Sequence, residues 1–311
     1  MLDVKRLRVL REVAARGSFS GAADSLSYTQ SAISQQIAAL EREAGTQLVE
    51  RSARGVRLTD AGSALVAHAD AILARLDAAE RELEAIAGLR GGHLRIVAFL
   101  SAAASLLPPA IAEFRRRHPG VELSLQPAEP VDSIPQVKAG DCDLAIAIEP
   151  RFAPLTDEQV TKTHLLDDPM FVVLPADHPQ AHKAGLALED LAGESWITGP
   201  VATCPDTSIF YRACTTAGFE PRVAFQSDDY TAIQGFIAAG VGVALIPDLA
   251  LFSVRDDIVI RDLGEHAPVR RVFAATLSSG YRSPATGAML QILQDVGREY
   301  AADRRSLALA S

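Results

Sequence analysis

Gln30, Ser31, Ser34 and Gln35 gather amides and hydroxyls into one short stretch of the chain, and the cations Arg51, Arg54 and Arg57 follow closely. Groups of the first kind suit base edges: a glutamine amide can pair bidentately with adenine, and a serine hydroxyl donates to or accepts from several edges. No comparable spacing for acid–base, nucleophilic or metal chemistry occurs elsewhere. His68, His93, His118, His164, His178, His182 and His266 are scattered without a partner motif. There is no nucleophile elbow, phosphate loop or dinucleotide fingerprint. The expectation is a protein without catalysis, cofactor or metal. Cys142, Cys204 and Cys214 lack zinc-ligand spacing and are too few for a disulfide framework, which fits a reducing compartment.

The elements that would carry the polar stretch are short helices. Leu7, Leu10 and Val13 give a first helix its apolar face, and Gly17 stops it. Ser20 can cap a second helix bearing Ala22, Ala23 and Leu26. A tight turn at Ser27-Tyr28 leads to Thr29, a good N-cap for a third helix that ends at Gly45. In that helix Ile33, Ile37, Leu40 and Ala44 share one side, while Ser31, Ser34, Gln35 and Arg42 point the other way behind Gln30. Two short helices joined by a tight turn, the second presenting a polar row, describe a helix-turn-helix. Arg54-Gly55 lies between short β-like segments, as the tip of a wing would.

A long helix follows, with Thr59 as its cap and no firm break before Gly88. Leu65, Ala69, Ile72, Leu76, Ala79, Leu83 and Ile86 alternate spacings of four and three, a heptad seam suited to pairing with a second chain. The alternative is an amphipathic helix packed on its own domain. Gly91-Gly92 reads as a flexible joint. Beyond His93 strand-like runs alternate with helical stretches, which predicts largely parallel α/β sheets. The segment is too long for one such sheet, so two subdomains with a cleft between them are expected. The last residues, 302–311, are expected to fray.

The whole chain of 311 residues carries a formal net charge of −9, awkward for a partner rich in phosphate. The charge is uneven: residues 1–60 hold nine cations against seven anions, a local +2, which leaves −11 for the rest. An acidic remainder discourages indiscriminate spreading over DNA. No apolar run approaches the roughly 20 residues that span a bilayer, and the first residues lack the build of a signal peptide. A cytoplasmic protein with no membrane partner is expected.

Residues 1–62 resemble the DNA-binding domain of the LysR-type transcriptional regulators. The resemblance is carried by Gly17-Ser18-Phe19-Ser20 with Ala22-Ala23, by Thr29-Gln30-Ser31-Ala32-Ile33-Ser34-Gln35-Gln36-Ile37, and by Leu40-Glu41 with Gly45. Leu48-Val49-Glu50-Arg51 and Leu58-Thr59-Asp60-Ala61-Gly62 complete it. A weaker match continues through Leu107-Pro108, Ala239-Gly240-Val241-Gly242-Val243-Ala244 and Ile246-Pro247. Val49, where the family usually has Phe, and Ala44, where Leu is common, only trim the core.

The resemblance implies an N-terminal winged helix-turn-helix over residues 1–58, a dimerising linker helix over 59–90, and an effector-binding domain over 91–311. That last domain would be α/β and two-lobed, of the type II periplasmic-binding-protein kind. Lobe one would comprise 93–164 and 269–300, and lobe two 165–268, with chain crossings near His164–Asp167 and His266–Arg270. Tetramers on partly palindromic promoter sites are implied as well. By the same resemblance Gln30, Ser31, Ser34 and Gln35 contact bases, while Arg51, Arg54 and Arg57 hold phosphates or enter the minor groove at the wing.

Effector sites in this family lie between the lobes. The matching loops here carry Ser101, Ala102, Glu129, Pro130, Glu149, Thr198, Cys204, Asp206, Thr207, Ser227 and Asp228. Several loops precede helices, whose free N–H groups could take an anion. Ser101 is the leading candidate, with a plain helix cap as its alternative role. The same loops hold Glu129, Glu149, Asp206, Asp228 and Asp229 with only Arg151 close by in sequence, so the expected ligand is neutral or amine-bearing. Cys204 and Cys214 lie near where peroxide-sensing relatives keep a redox pair, but no basic residue immediately flanks Cys204 to stabilise a thiolate. A solute-binding protein is the main rival for residues 93–300, yet it would leave the helix-turn-helix and the heptad helix without purpose. An architectural DNA-bending protein would not need a two-lobed cleft.

Overall fold

Local capping decides the first three helices. Asp3 accepts from Lys5 N at 2.7 Å at the head of α1 (Val4–Arg16), and Gly17 closes it with φ +61°. Ser18 caps α2 (Phe19–Leu26), accepting from Gly21 N at 3.1 Å, whereas Ser20, the expected cap, lies inside the helix. The reason is Phe19: it is buried, and its place in the core sets the first helical residue. Thr29 accepts from Ala32 N at 3.2 Å to cap α3 (Gln30–Ala44), which Gly45 ends at φ +70°. Ile33, Ile37 and Leu40 of α3 join Leu7, Leu10, Val13 and Ala22 in one core.

The computed structural model describes residues 1–52, 55–86, 92–200, 205–279 and 282–308. The chain divides into two units, Met1–Leu83 with Ala139–Asp141, and Glu84–Lys138 with Cys142–Ser311. In the first, β1 (Val49–Ser52) and β2 (Gly55–Leu58) form an antiparallel hairpin with Val49 opposite Leu58. Arg54, expected at its tip, lies outside the described residues. The Glu41 carboxylate accepts from Leu48 N at 2.9 Å and Val49 N at 3.2 Å, tying α3 to the start of the hairpin. Thr59 caps α4 (Asp60–Ile86), accepting from Gly62 N at 3.0 Å while donating to Gln47 O at 2.8 Å. The heptad seam of α4 divides: Leu65 and Ala69 pack into the core of the first three helices, while Ile72, Leu76 and Leu83 stay exposed. Gly91, part of the expected joint, is outside the described residues.

Gly62 permits the close approach of α4 to the hairpin. A Cβ there would lie 2.0 Å from Leu48 O, an oxygen that also accepts from Thr59 N. Gly62→Ala is therefore expected to destabilise this unit by about 1–3 kcal/mol through overpacking. Amide exchange in α1–α3 measures it, and unchanged protection there would sink the expectation.

In the second unit β3 (His93–Ala98) pairs in parallel with β4 (Glu122–Pro127) and β5 (Leu144–Pro150). Helices α5 (Leu100–Ser105), α6 (Leu107–Arg117) and α7 (Pro130–Ala139) connect these strands. The long β6 (Val160–Pro175) then crosses into a second lobe. Its first part pairs with β11 (Val269–Leu277), and its last part with β9 (Ala244–Pro247) and β10 (Ile258–Arg261). The rest of that lobe is β7 (Ser195–Thr198), α8 (Pro205–Thr216), β8 (Arg222–Gln226) and α9 (Tyr230–Ala238). β7 pairs in parallel with β8, and a Trp196–Val243 bridge links it towards β9. The expected parallel pairing thus holds for β3–β5 and β7–β8. Every pair made by the crossing strands β6 and β11 is antiparallel, because the chain leaves the first lobe and returns to it. α10 (Pro284–Ala308) closes the fold on the first lobe and runs as helix to Ala308, into the segment expected to fray, whose residues 309–311 lie outside the described residues. Among the described residues no helix is long and apolar enough to cross a membrane.

Candidate nucleic-acid face and inter-lobe cleft

Helix α3 turns its apolar side inward and leaves a polar row outward. Gln30, Ser31 and Gln35 are exposed and Ser34 is half-buried. Their spacing of four sets Gln30 above Ser34 and Ser31 above Gln35. Ser31 Oγ lies 3.0 Å from Thr29 Oγ1, which fixes the leading end of the row. Arg57 is exposed on β2, and Arg51 is placed on β1 opposite Val56. Tyr28 stands exposed just ahead of Thr29.

The charged centre of the second unit is Arg270, the second residue of β11, only 1% exposed. Its Nε donates to Asp168 Oδ2 at 2.8 Å, Nη1 to Asp206 Oδ2 at 2.7 Å, and Nη2 to Ser101 Oγ at 2.8 Å. The Phe99 ring centre lies 5.0 Å from the guanidinium carbon, so one face of the cation is covered. Asp168 also accepts from Leu249 N at 3.2 Å, and Asp206 Oδ2 accepts from Tyr230 Oη at 2.6 Å. Ser101 comes from α5 of the first lobe, Asp206 and Tyr230 from α8 and α9 of the second, and Asp168 and Arg270 from the two crossing strands. One side chain therefore ties both lobes to the hinge. Burial works against its charge, but Asp206 and Asp168 overcome this and raise the guanidinium above its ordinary value. A buried guanidinium with charged acceptors makes strong, short hydrogen bonds.

Ser101 and Asp206 are brought together here through Arg270, and the charges of Asp206, Asp228 and Arg270 reach Glu129. Burial, then the charges of Asp206 and Asp228, push the Glu129 carboxyl above the usual carboxylate range. Ser101 does not cap α5, whose N-cap is Phe99. Ala102, Pro130, Thr198 and Thr207 are buried around the same chain segments, and Ser227 receives Asp229 N at 3.2 Å. Asp229 caps α9, accepting from Thr231 N at 2.7 Å. Glu149 is not part of the group. It is buried, and takes Lys162 Nζ at 2.5 Å and Leu155 N at 2.8 Å. It is register-paired with Arg271 rather than with Arg270, and neighbouring side chains on a strand face opposite ways. Arg151, the cation closest in sequence, pairs with Asp167.

Neighbours in sequence offer the acidic loops only Arg151; the fold adds a buried cation, Arg270, from a strand remote in sequence. Arg270, Asp168, Tyr230 and Phe99 were all missed. A usable signal existed, since Asp167-Asp168 and Arg270-Arg271 set doublets of opposite charge at the two crossings, and Asp168 and Arg270 are register partners in the β6–β11 pair. Cys204 lies outside the described residues. Cys214 is buried, and burial pushes its thiol up to about 12, the opposite of what a reactive thiolate requires.

Two family models match the chain. "Bacterial regulatory helix-turn-helix protein, lysR family" covers residues 4–63, and "LysR substrate binding domain" covers residues 87–298. The probable HTH-type transcriptional regulator LrrA of Synechococcus elongatus is 33% identical over 301 residues, 96% of this chain and 98% of its own length. Among solved structures, a full-length OxyR variant from Pseudomonas aeruginosa superposes with a TM-score of 0.70 at 24% identity, covering 94% of this chain and 98% of that one. Full-length CbnR in complex with its target DNA gives 0.57 at 22% identity, covering 95% and 100%.

Proposed function

Because the chain belongs to the LysR family of transcriptional regulators, which join a helix-turn-helix DNA-binding domain to an effector-binding domain, we propose that Gln30, Ser31, Ser34 and Gln35 read base edges in a promoter major groove. Arg51, Arg54 and Arg57 hold the adjacent phosphates or enter the minor groove. The observation that carries this is the two-sidedness of α3: Ile33, Ile37 and Leu40 are buried while the amide and hydroxyl row faces out. The wing arginines position the protein without specifying sequence. CbnR, a protein of the same fold, is seen with its target DNA, which supports DNA binding by this chain.

Gln30→Ala is expected to cost about 1–3 kcal/mol on the promoter beside the protein's own gene and nothing on a scrambled duplex. Arg57→Ala is expected to weaken both and to reduce the salt slope by about one unit. Equal losses for the two variants on both duplexes would count against the assignment.

The protein acts in the cytoplasm as a dimer or tetramer, joined through residues 59–90. Its effector is a small neutral or amine-bearing molecule held between lobe one (93–164 and 269–300) and lobe two (165–268). Ser101, Ala102, Glu129, Pro130, Thr198, Asp206, Thr207, Ser227 and Asp228 form or back that cleft. The Arg270 group supports this reading, because any ligand that alters contacts to Ser101 or Asp206 changes how the lobes are tied.

A further inference from the structure

Among the described residues around Asp206, Arg270 is the buried cation and acids outnumber it, and that cation is already engaged. Asp168, Asp206 and Ser101 take one donor from each nitrogen of Arg270, and Phe99 covers a face of it. An anionic ligand would have to displace these partners while entering the field of Glu129, Asp168, Asp206 and Asp228. The acceptor side is different. Asp206 is 6% exposed, its Oδ2 already receives both Arg270 and Tyr230, and its Oδ1 has no hydrogen-bond partner among the described residues. A buried carboxylate oxygen without a donor is unfavourable, and an incoming N–H⁺ would satisfy it. Glu129 on the first lobe is half-buried and Asp228 on the second is exposed, and the charges of Asp206 and Asp228 both reach Glu129.

We propose that the cleft takes a ligand bearing an ammonium group, seated on Asp206 Oδ1 between Glu129 and Asp228, with Arg270 as a fixed internal counter-ion rather than an anion receptor. This rests on the reading of the cleft as the effector site and narrows it to one chemical class. Glu129 belongs to one lobe and Asp206 and Asp228 to the other, so the ammonium draws the lobes together by bridging carboxylates that otherwise repel. Burial first, and then the charges of Asp206 and Asp228, raise the Glu129 carboxyl, so the three acids act on one another across the lobes.

The test uses the full chain and a panel of matched triplets, each an alkyl or aryl-alkyl primary amine, the alcohol and the carboxylate of the same carbon body. Binding is read by calorimetry and by the shift of the unfolding transition. Amines are expected to bind more tightly than their alcohols, and carboxylates not to bind. Glu129→Gln and Asp228→Asn leave the Arg270 contacts in place, and each is expected to weaken amine binding about tenfold, as loss of one charged contact should. Failure of every amine, a carboxylate binding better than its matched amine, or amine affinity unmoved in both variants overturns the proposal. The same samples are tested on promoter DNA, which separates the two readings. A carboxylate that binds and alters promoter affinity overturns the ammonium seat and keeps the effector cleft. Amines that bind as expected without altering promoter affinity support the seat and overturn its effector role.

Discussion

Arg270→Met should destabilise the two-lobed domain by about 3–5 kcal/mol, the usual loss when one member of a buried ion pair is removed and its partner stays charged. Two partners stay behind here, Asp168 with a side chain 0% exposed and Asp206 at 7%. Trp196 makes the measurement clean. It is the single tryptophan of the chain and is fully buried in the second lobe, so its fluorescence in a denaturant titration reports this domain and not the helix-turn-helix. Adding Asp168→Leu to Arg270→Met should cost less than the sum of the two single changes, because the second substitution removes the charge that the first left unpaired. Promoter binding by the first unit, which has its own core, should survive Arg270→Met while any effector response is lost. A loss below about 1 kcal/mol, or strict additivity, would show that Arg270 does not hold the two acids.

The second large effect concerns α4. Leu76→Glu should convert the protein to a monomer in sedimentation and weaken promoter binding by about 100-fold or more, since two linked reading heads gain a factor of 10² to 10⁴ over one. Leu76 is 39% exposed and Ile72 42%, so folding of the unit should be unaffected; Leu83, at 67%, extends the same seam. Each turn of a paired heptad helix buries an apolar side chain against its neighbour, and a carboxylate at that position would lose its hydration. Leu65→Glu is the contrast. That residue packs into the helix-turn-helix core, so its substitution should lower stability first. A Leu76→Glu protein that remains dimeric would place the interface elsewhere.

Much of the reading head was legible from residue types alone. Thr29 and Gly45 bound α3 because a side-chain cap and a left-handed glycine act within one turn of the backbone. The alternation of Ile33, Ile37 and Leu40 with Ser34 and Gln35 tells the inner from the outer face for the same local reason. The α2 cap was misplaced by two residues because Ser18 and Ser20 are chemically equal. Only the burial of Phe19 chooses between them. In the second unit β7 and β10 escaped notice: four-residue strands owe their existence to partners such as β8 and β6 rather than to their own pattern.

The heptad pattern along α4 likewise showed an apolar stripe but not its partners. Leu65 and Ala69 look like Leu76 and Ala79 in sequence, and only packing assigns the first pair to the chain's own core. The Arg270 group is the extreme case. Its partners stand 64, 102 and 169 residues away, so counting charges among neighbouring loops found acids without their cation. Helix limits and polar faces obey forces that reach a few residues along the backbone, and the chain's order of residues determined them. The tie between the lobes depends on the register of β6 against β11 and on how α5 and α8 are set beside those strands. Folding alone makes such distant groups neighbours.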